Sequence, residues 1–379
     1  MRVRLRRFGK LAAFSLLGVL GFELLARLLF PGFDINPSWR YHPVLGWSQV
    51  PGGRFEYDLD GERVRIAFNS EGFHDVEHAV DKPDGVKRIV LIGDSFSESV
   101  QLDLERTFFR LLEARLNAMP GAHWEVINLG VGDFGTAQEE LALEHLGLRY
   151  APDIVICQVF PLNDIGNNSL ALADLCKSRN DRYRPYAVVR DGELQTVRLQ
   201  PLRAFLRRSL VSFTVVEGLL LRWSGAFAPE SDADYRRRLR DRGFDGLEPL
   251  LQTFVAEPDQ APAVAEGWRV TELLLERIVG RCRAAGIAVL PMVVPWDRRF
   301  GPDWRGLVAA HPALIRGYPE RRLGALFARL GVPSLMLLPL FEHRLDVVLP
   351  ARAGHLNPAA HRLVADALFE KLRAEKLVR

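Results

Sequence analysis

Cysteine is scarce: the chain of 379 residues has only Cys157, Cys176 and Cys282, with no C-x-x-C. An odd, widely spaced count gives no disulfide framework. His355 and His361 are not placed like a zinc pair, so no metal and no organic cofactor is expected. An excess of one charge sign is also missing. Lys and Arg number 50 against 47 Asp and Glu, a net charge of +3. The basic residues form no aromatic-interleaved patch, which argues against nucleic acid as a partner. Internal repeats are absent. Acid is missing altogether from the first ten residues, MRVRLRRFGK.

Long apolar runs are few, and one follows directly: LAAFSLLGVLGFELLARLLF, residues 11–30. As a helix it would measure ~30 Å, about one bilayer core. No clear A-x-A cleavage site precedes Pro31, and its polar residues are not spaced as in a soluble amphipathic helix. The reading is a single-pass signal-anchor over residues 1–30, its arginine-rich end in the cytoplasm. Glu23 and Arg27 would pair at i,i+4. The rest of the chain would face the periplasmic side of the inner membrane. Residues 31–84, rich in Pro, Gly and aromatics, read as an irregular or β-rich lead-in, with a hairpin in YDLDGERVRIAFNS.

From residue 85 to 375, apolar strands alternate with helices. Strands are expected in KRIVLIG, WEVINLG, DIVICQVF, GIAVLPMVV and PSLMLL. Helices are expected near 104–118, 136–148, 264–284, 319–330 and 357–375. Near-continuous apolar strands alternating with helices mean a parallel sheet covered on both faces, an α/β class. An insertion at about 170–260 interrupts the order. It holds a hairpin turning at Asp191-Gly192 and a hydrophobic helix, FLRRSLVSFTVVEGLLLRW, too short to span a bilayer. That helix packs on the domain or rests on anionic lipid. The run DADYRRRLRDRGFDG is a solvated helical face.

The strand RIVLI stops at Gly93-Asp94-Ser95. In an open parallel sheet, ligands bind at the carboxyl ends of strands. Gly93 would let the backbone turn sharply, leaving the Ser95 hydroxyl exposed on a rigid scaffold, as a nucleophile needs. The plainer reading is a βα turn capped by Asp94 and Ser95. A serine needs a base, and His355 stands in a loop two residues before an Asn-Pro helix start. His361 falls inside that helix. Oxyanion donors are offered by the Gly-rich NLGVGDFGTAQ after the second strand and by Asn163 in FPLNDIGNNS after the third.

Gly-Asp-Ser, then a glycine loop, then Asn-Asp, then a late His before the last helix resemble the SGNH/GDSL hydrolase family over most of residues 85–373. NSEGFHD and the N-terminal anchor resemble a membrane-anchored bacterial branch linked to envelope polysaccharides. The resemblance implies a flavodoxin-like three-layer α/β/α sandwich. It implies Ser95 as nucleophile and His355 as base. It implies an oxyanion hole from the N–H groups of Ser95 and Gly132 or Asp133, with the Asn163 amide. Three positions depart from the pattern. Leu162 replaces a glycine, Asp133 occupies a usual glycine position, and Arg352 and Ala353 stand where an aspartate usually orients the histidine. A Ser–His dyad, an acid from a neighbouring turn (Asp346 or Glu342), or a site kept for binding alone are the alternatives. The implied activity is a serine esterase that removes O-acyl groups, O-acetyl among them, from a cell-envelope glycan or acts on a small ester. An O-acyltransferase using the same acyl-serine, or a non-catalytic glycan-binding protein, are the other readings.

Overall fold

Aliphatic runs bounded by turn residues become the strands of one parallel sheet. The computed structural model describes residues 2–29, 39–59, 61–173, 183–199, 210–223, 247–349 and 354–378, with a few isolated positions between them. Cys176 and most of DADYRRRLRDRGFDG lie outside the described residues.

The chain opens with α1 (Arg2–Leu29). Two antiparallel hairpins follow, β1 (Trp39–His42) with β2 (Gly46–Gln49) and β3 (Arg54–Leu59) with β4 (Glu62–Ala67). Next come β5 (Lys87–Ile92), a single helical turn α2 (Ser95–Glu98), α3 (Phe108–Asn117), β6 (Trp124–Asn128), α4 (Thr136–His145), β7 (Ile154–Val159) and α5 (Pro161–Asn168). The insertion contributes the hairpin of β8 (Pro185–Arg190) with β9 (Glu193–Arg198), and the helix α6 (Val211–Trp223). The alternation resumes with α7 (Pro262–Ala284), β10 (Ala288–Val293), α8 (Pro302–Ala310), α9 (Tyr318–Leu330) and β11 (Leu335–Met336). It closes with α10 (Leu337–Glu342), α11 (Leu345–Val348) and α12 (Pro358–Ala374).

The sheet runs β11-β10-β7-β5-β6, every pair parallel. Counted from β5 this is the flavodoxin order 2-1-3-4-5, whose switch point lies between β5 and β7. Strand alternation divides the core into two layers. Ile89 and Leu91 share one cluster with Phe108, Leu112, Val364 and Leu368 of α3 and α12. Val90 and Ile92 share the other with Leu141, Leu143 and Leu275 of α4 and α7. On α7 the buried positions include Trp268, Val270, Leu274, Leu275 and Ile278, the stripe of a helix packed along one face.

One local expectation is corrected. PSLMLL is strand only at Leu335–Met336, and Leu337 already starts α10. Pro339 falls in the first turn of that helix, where its missing N–H costs nothing. PLNDIGNN after the third strand forms α5, with Pro161 at its first position. The Asp191-Gly192 hairpin is present, both residues having positive φ (53° and 84°), as a type I′ turn needs. Cys157 and Cys282 are buried thiols. Among the described residues no helix is long and apolar enough to cross a membrane. The side chains of residues 1–13 lie outside that description. Glu23 and Arg27 do pair, at 2.7 Å.

Candidate active site

The switch point opens where β5 and β7 end. Asp94 is the N-cap of α2, its Oδ1 accepting the Phe96 N–H at 2.9 Å. Ser95 is half-buried, whereas Gly93, Asp94, Phe96, Ser97 and Glu98 around it are buried. The turn thus leaves one side chain at the opening. Gly93 is required for a reason the sequence did not suggest. Its φ is not in the left-handed region. A Cβ there would come within 2.4 Å of Gln158 Oε1 and of Ser97 Oγ. Gly130 is needed likewise, since a Cβ would sit 2.5 Å from the Ser97 Cβ. The loop after β6 is pressed onto the back of α2.

The loop carrying the imidazole is held by its own backbone. Arg352 and His355 exchange both N–H···O bonds at 2.9 Å, across Gly354 at φ +76°. His355 Nε2 comes 2.8 Å from Ser95 Oγ, closing a separation of 260 positions. The Phe96 ring packs against the imidazole, centroids 4.9 Å apart. Asn163, half-buried on α5, donates from Nδ2 to Asp94 Oδ2 at 2.8 Å. Serine, imidazole and carboxamide therefore converge at one rim of the sheet.

The other expected residues fare differently. Asp346 is not at the imidazole. Its side chain on α11 is 74% exposed and its ionic partner is Arg344, at 3.6 Å. Glu342 pairs with Arg316 at 3.2 Å. At the position before the histidine where the family pattern has an acid, Arg352 turns away. It donates to Glu62 Oε2 at 2.7 Å and to the Leu59 carbonyl at 3.0 Å, tying the His355 loop to the β3–β4 hairpin. Gly132 lies against the buried Glu98 carboxylate, whose pKa its backbone helps to lower, and its carbonyl accepts from Trp47 Nε1 at 3.1 Å. Asp133 has φ 64°. Arg184 faces its carboxylate at 3.1 Å and also donates to its carbonyl at 2.7 Å, so its charge is matched locally.

Beneath the serine lies a layer of buried acids. Burial raises Asp94 to about 6, against bonds from Phe96 and Asn163 and the attraction of His355. Burial raises Glu98 to about 7, against bonds from Gln49 and Gly132. Burial and then repulsion from Asp94 raise Asp164 to about 8. Asp164 accepts from Thr136 Oγ1 at 2.7 Å and from the Phe160 N–H at 2.8 Å, locking α5 to α4. His361 is wholly buried, and burial lowers it to about 3. Its Nδ1 accepts the Phe108 N–H at 2.9 Å, the role of a packing residue.

Several supporting residues escaped the sequence. Gln158 Oε1 accepts the Asp94 N–H at 3.0 Å and the Ser97 hydroxyl at 2.9 Å, and its signal was an amide in the apolar run DIVICQVF. His74, from NSEGFHD, bonds the Glu98 carbonyl at 2.8 Å, while Asp75 and Asn128 complete the back of the turn. Among the described residues no cluster of His, Cys, Asp and Glu could hold a metal ion.

Fold and site together define a class: a flavodoxin-like parallel sandwich with a serine–imidazole pair at its switch point. No protein-family model and no curated protein matches the sequence. Solved structures that resemble it include a lipase from a goat rumen metagenome, 10% identical over 75% of this chain and 97% of that one, TM-score 0.42. Another is a lipase/acylhydrolase from Enterococcus faecalis, 13% identical over 76% and 96%, TM-score 0.39. A third, from Desulfitobacterium hafniense, is ascribed to the G-D-S-L lipolytic family, 11% identical over 76% and 99%, TM-score 0.38. These are of the kind that the motif order resembles.

Proposed function

We propose that the protein is a serine esterase working through an acyl-Ser95 intermediate. The observation that carries this reading is the 2.8 Å contact of His355 Nε2 with Ser95 Oγ at the switch point. His355 takes the hydroxyl proton as Oγ attacks the ester carbonyl carbon. The developing oxyanion meets the Ser95 N–H and the second N–H of the Asn163 amide, the first being held by Asp94. Collapse breaks the ester C–O bond, and the imidazolium returns its proton to the departing alkoxide. Water, deprotonated by the same imidazole, then attacks the acyl carbon; the bond to Oγ breaks, the imidazolium returns its proton to Ser95, and the acid leaves.

The acyl group in this reading sits on a sugar. In this reading a sugar ring would stack on an exposed indole face, for which half-buried Trp39, stacked on Trp47 with centroids 5.9 Å apart, is the candidate. The helix α1 tethers the chain to a membrane, with the sheet domain on the extracytoplasmic side. Exposed apolar side chains along α1 support the tether.

A fluorophosphonate probe tests the chemistry. Wild type is expected to label, and Ser95→Ala is not. A folded wild type that stays unlabelled would favour a non-catalytic binder. Hydrolysis of p-nitrophenyl acetate is expected to fall at least ~10³-fold in His355→Ala. Mass analysis with a glycan acceptor separates free acid from acyl-glycan, the product of a transferase.

A further inference from the structure

The molecule is inside out where α1 meets α6. On α1 every large apolar side chain from Phe14 to Leu29 is 50–73% exposed, and from residue 14 onward the buried positions are Glu23 and Ala26. On α6 the polarity is inverted in the same way. Val216, Leu219, Leu220 and Trp223 stand 40–88% exposed at i, i+3, i+4, i+7, one stripe of the helix. Ser212, Thr214 and Glu217 are buried, with Val215 the apolar side chain among them.

The polar seam is a clasp between the two helices. The Glu23 carboxylate accepts the N–H groups of Val211 and Ser212 at 3.0 and 2.9 Å, and the Ser212 hydroxyl at 2.5 Å. It thereby fills donors that the start of α6 leaves open. Arg27 Nε donates to the same oxygen as Val211, Oε1, at 2.7 Å. Farther along, Glu217 accepts from the Tyr183 hydroxyl at 3.3 Å and pairs with Arg203, fastening the inner face of α6 to the domain.

Water is the wrong solvent for such a pair, since burying polar groups and exposing leucines reverses the usual gain from burial. At 13 residues, α6 is ~20 Å long and cannot cross a ~30 Å core. It can lie along α1 at the boundary of the acyl chains. The charges fit an anionic surface: the acid-free MRVRLRRFGK precedes the apolar part of α1, and Arg207 and Arg208 precede α6.

We propose that α6 enters the same lipid bilayer as α1, its 216/219/220/223 stripe turned to the acyl chains and Glu23 clasping the two helices together. The domain then touches the membrane at two points and its site keeps a fixed height and tilt above the surface. This rests on α1 lying in the membrane and is independent of the esterase chemistry.

The test uses the full chain with Cys176→Ser, in vesicles of phosphatidylcholine and phosphatidylglycerol at 7:3. An NBD label is placed at Leu220→Cys or, separately, at Leu20→Cys. Both labels are expected to emit blue-shifted, to be quenched by acyl-chain doxyl lipid and to resist iodide. Iodide quenching at 220 with protection at 20 would overturn the proposal and leave the tether intact. Iodide quenching at both would overturn the tether as well. A label at 220 shielded from both quenchers would mean that protein covers α6, which also overturns it. Glu23→Gln is expected to raise iodide quenching at 220 at least twofold and leave 20 unchanged; no change at 220 would refute the clasp.

Discussion

Asp94 is the residue on which most of the site turns. It caps α2, holds the Asn163 amide and lies close enough to attract the His355 imidazolium. Its raised value near 6 means that the folded state prefers it protonated. Its ionisation therefore removes stability as pH rises from the unfolded value near 3.8 toward about 6. For a fully buried group that shift is worth about 3 kcal/mol. Asp94→Asn should consequently gain on wild type in urea unfolding between pH 4 and pH 7. The same variant should lose about 10- to 100-fold in kcat, because Asn163 loses its anionic acceptor and the imidazolium its neighbouring charge. Unchanged kcat would mean that Asp94 only caps the turn. Asp346→Asn should leave kcat unchanged, its carboxylate being exposed and paired with Arg344.

Among the elements, the β3–β4 hairpin acts at a distance. It reaches His355 through Arg352, whose guanidinium is 8% exposed and bonds the Leu59 carbonyl as well as Glu62. Glu62 is half-exposed and also pairs with Arg106, so water screens its ion pairs and leaves them weak. Arg352→Met should therefore cut kcat about tenfold or more with KM for a small ester unchanged, whereas Glu62→Gln should do much less. Equal effects of the two would show that charge, not the strap to the hairpin backbone, positions the imidazole. Gly93→Ala tests the packing of α2. The new methyl meets Gln158 and Ser97 at 2.4 Å, and urea unfolding should show a loss of about 1–3 kcal/mol.

At the scale of the whole molecule, the buried acids set the response to pH. Glu98 at about 7 and Asp164 at about 8 hold protons that the unfolded chain has already lost. The native state binds more protons than the unfolded state between pH 6.5 and 8, so stability falls as pH rises through that window. Each excess proton costs about 1.4 kcal/mol per pH unit. His361 acts in the opposite sense and only below 6.5, where the unfolded chain binds a proton that the native imidazole refuses. Thermal unfolding at pH 6.5 and 8 checks the sign, and a melting temperature higher at 8 would refute it.

The alternation of apolar strand and amphipathic helix was legible in the sequence because its causes are local: β-branched runs, proline at helix starts, and Asp-Gly at a hairpin. Ser95, Asn163 and His355 were legible as candidates for a similar reason, each standing beside its own strand end or helix start. What only the tertiary structure decided was partnership. Arg352, adjacent in sequence to the histidine loop, spends its charge on a hairpin some 290 positions away. Gly132, in a loop that looked built for an oxyanion, takes the Trp47 indole N–H on its carbonyl. Gly93 answers to Gln158 of another strand and not to its own φ. A chain fixes its nearest neighbours through backbone preference, but the partner of a buried hydrogen-bonding group is settled by which elements the sheet order brings side by side.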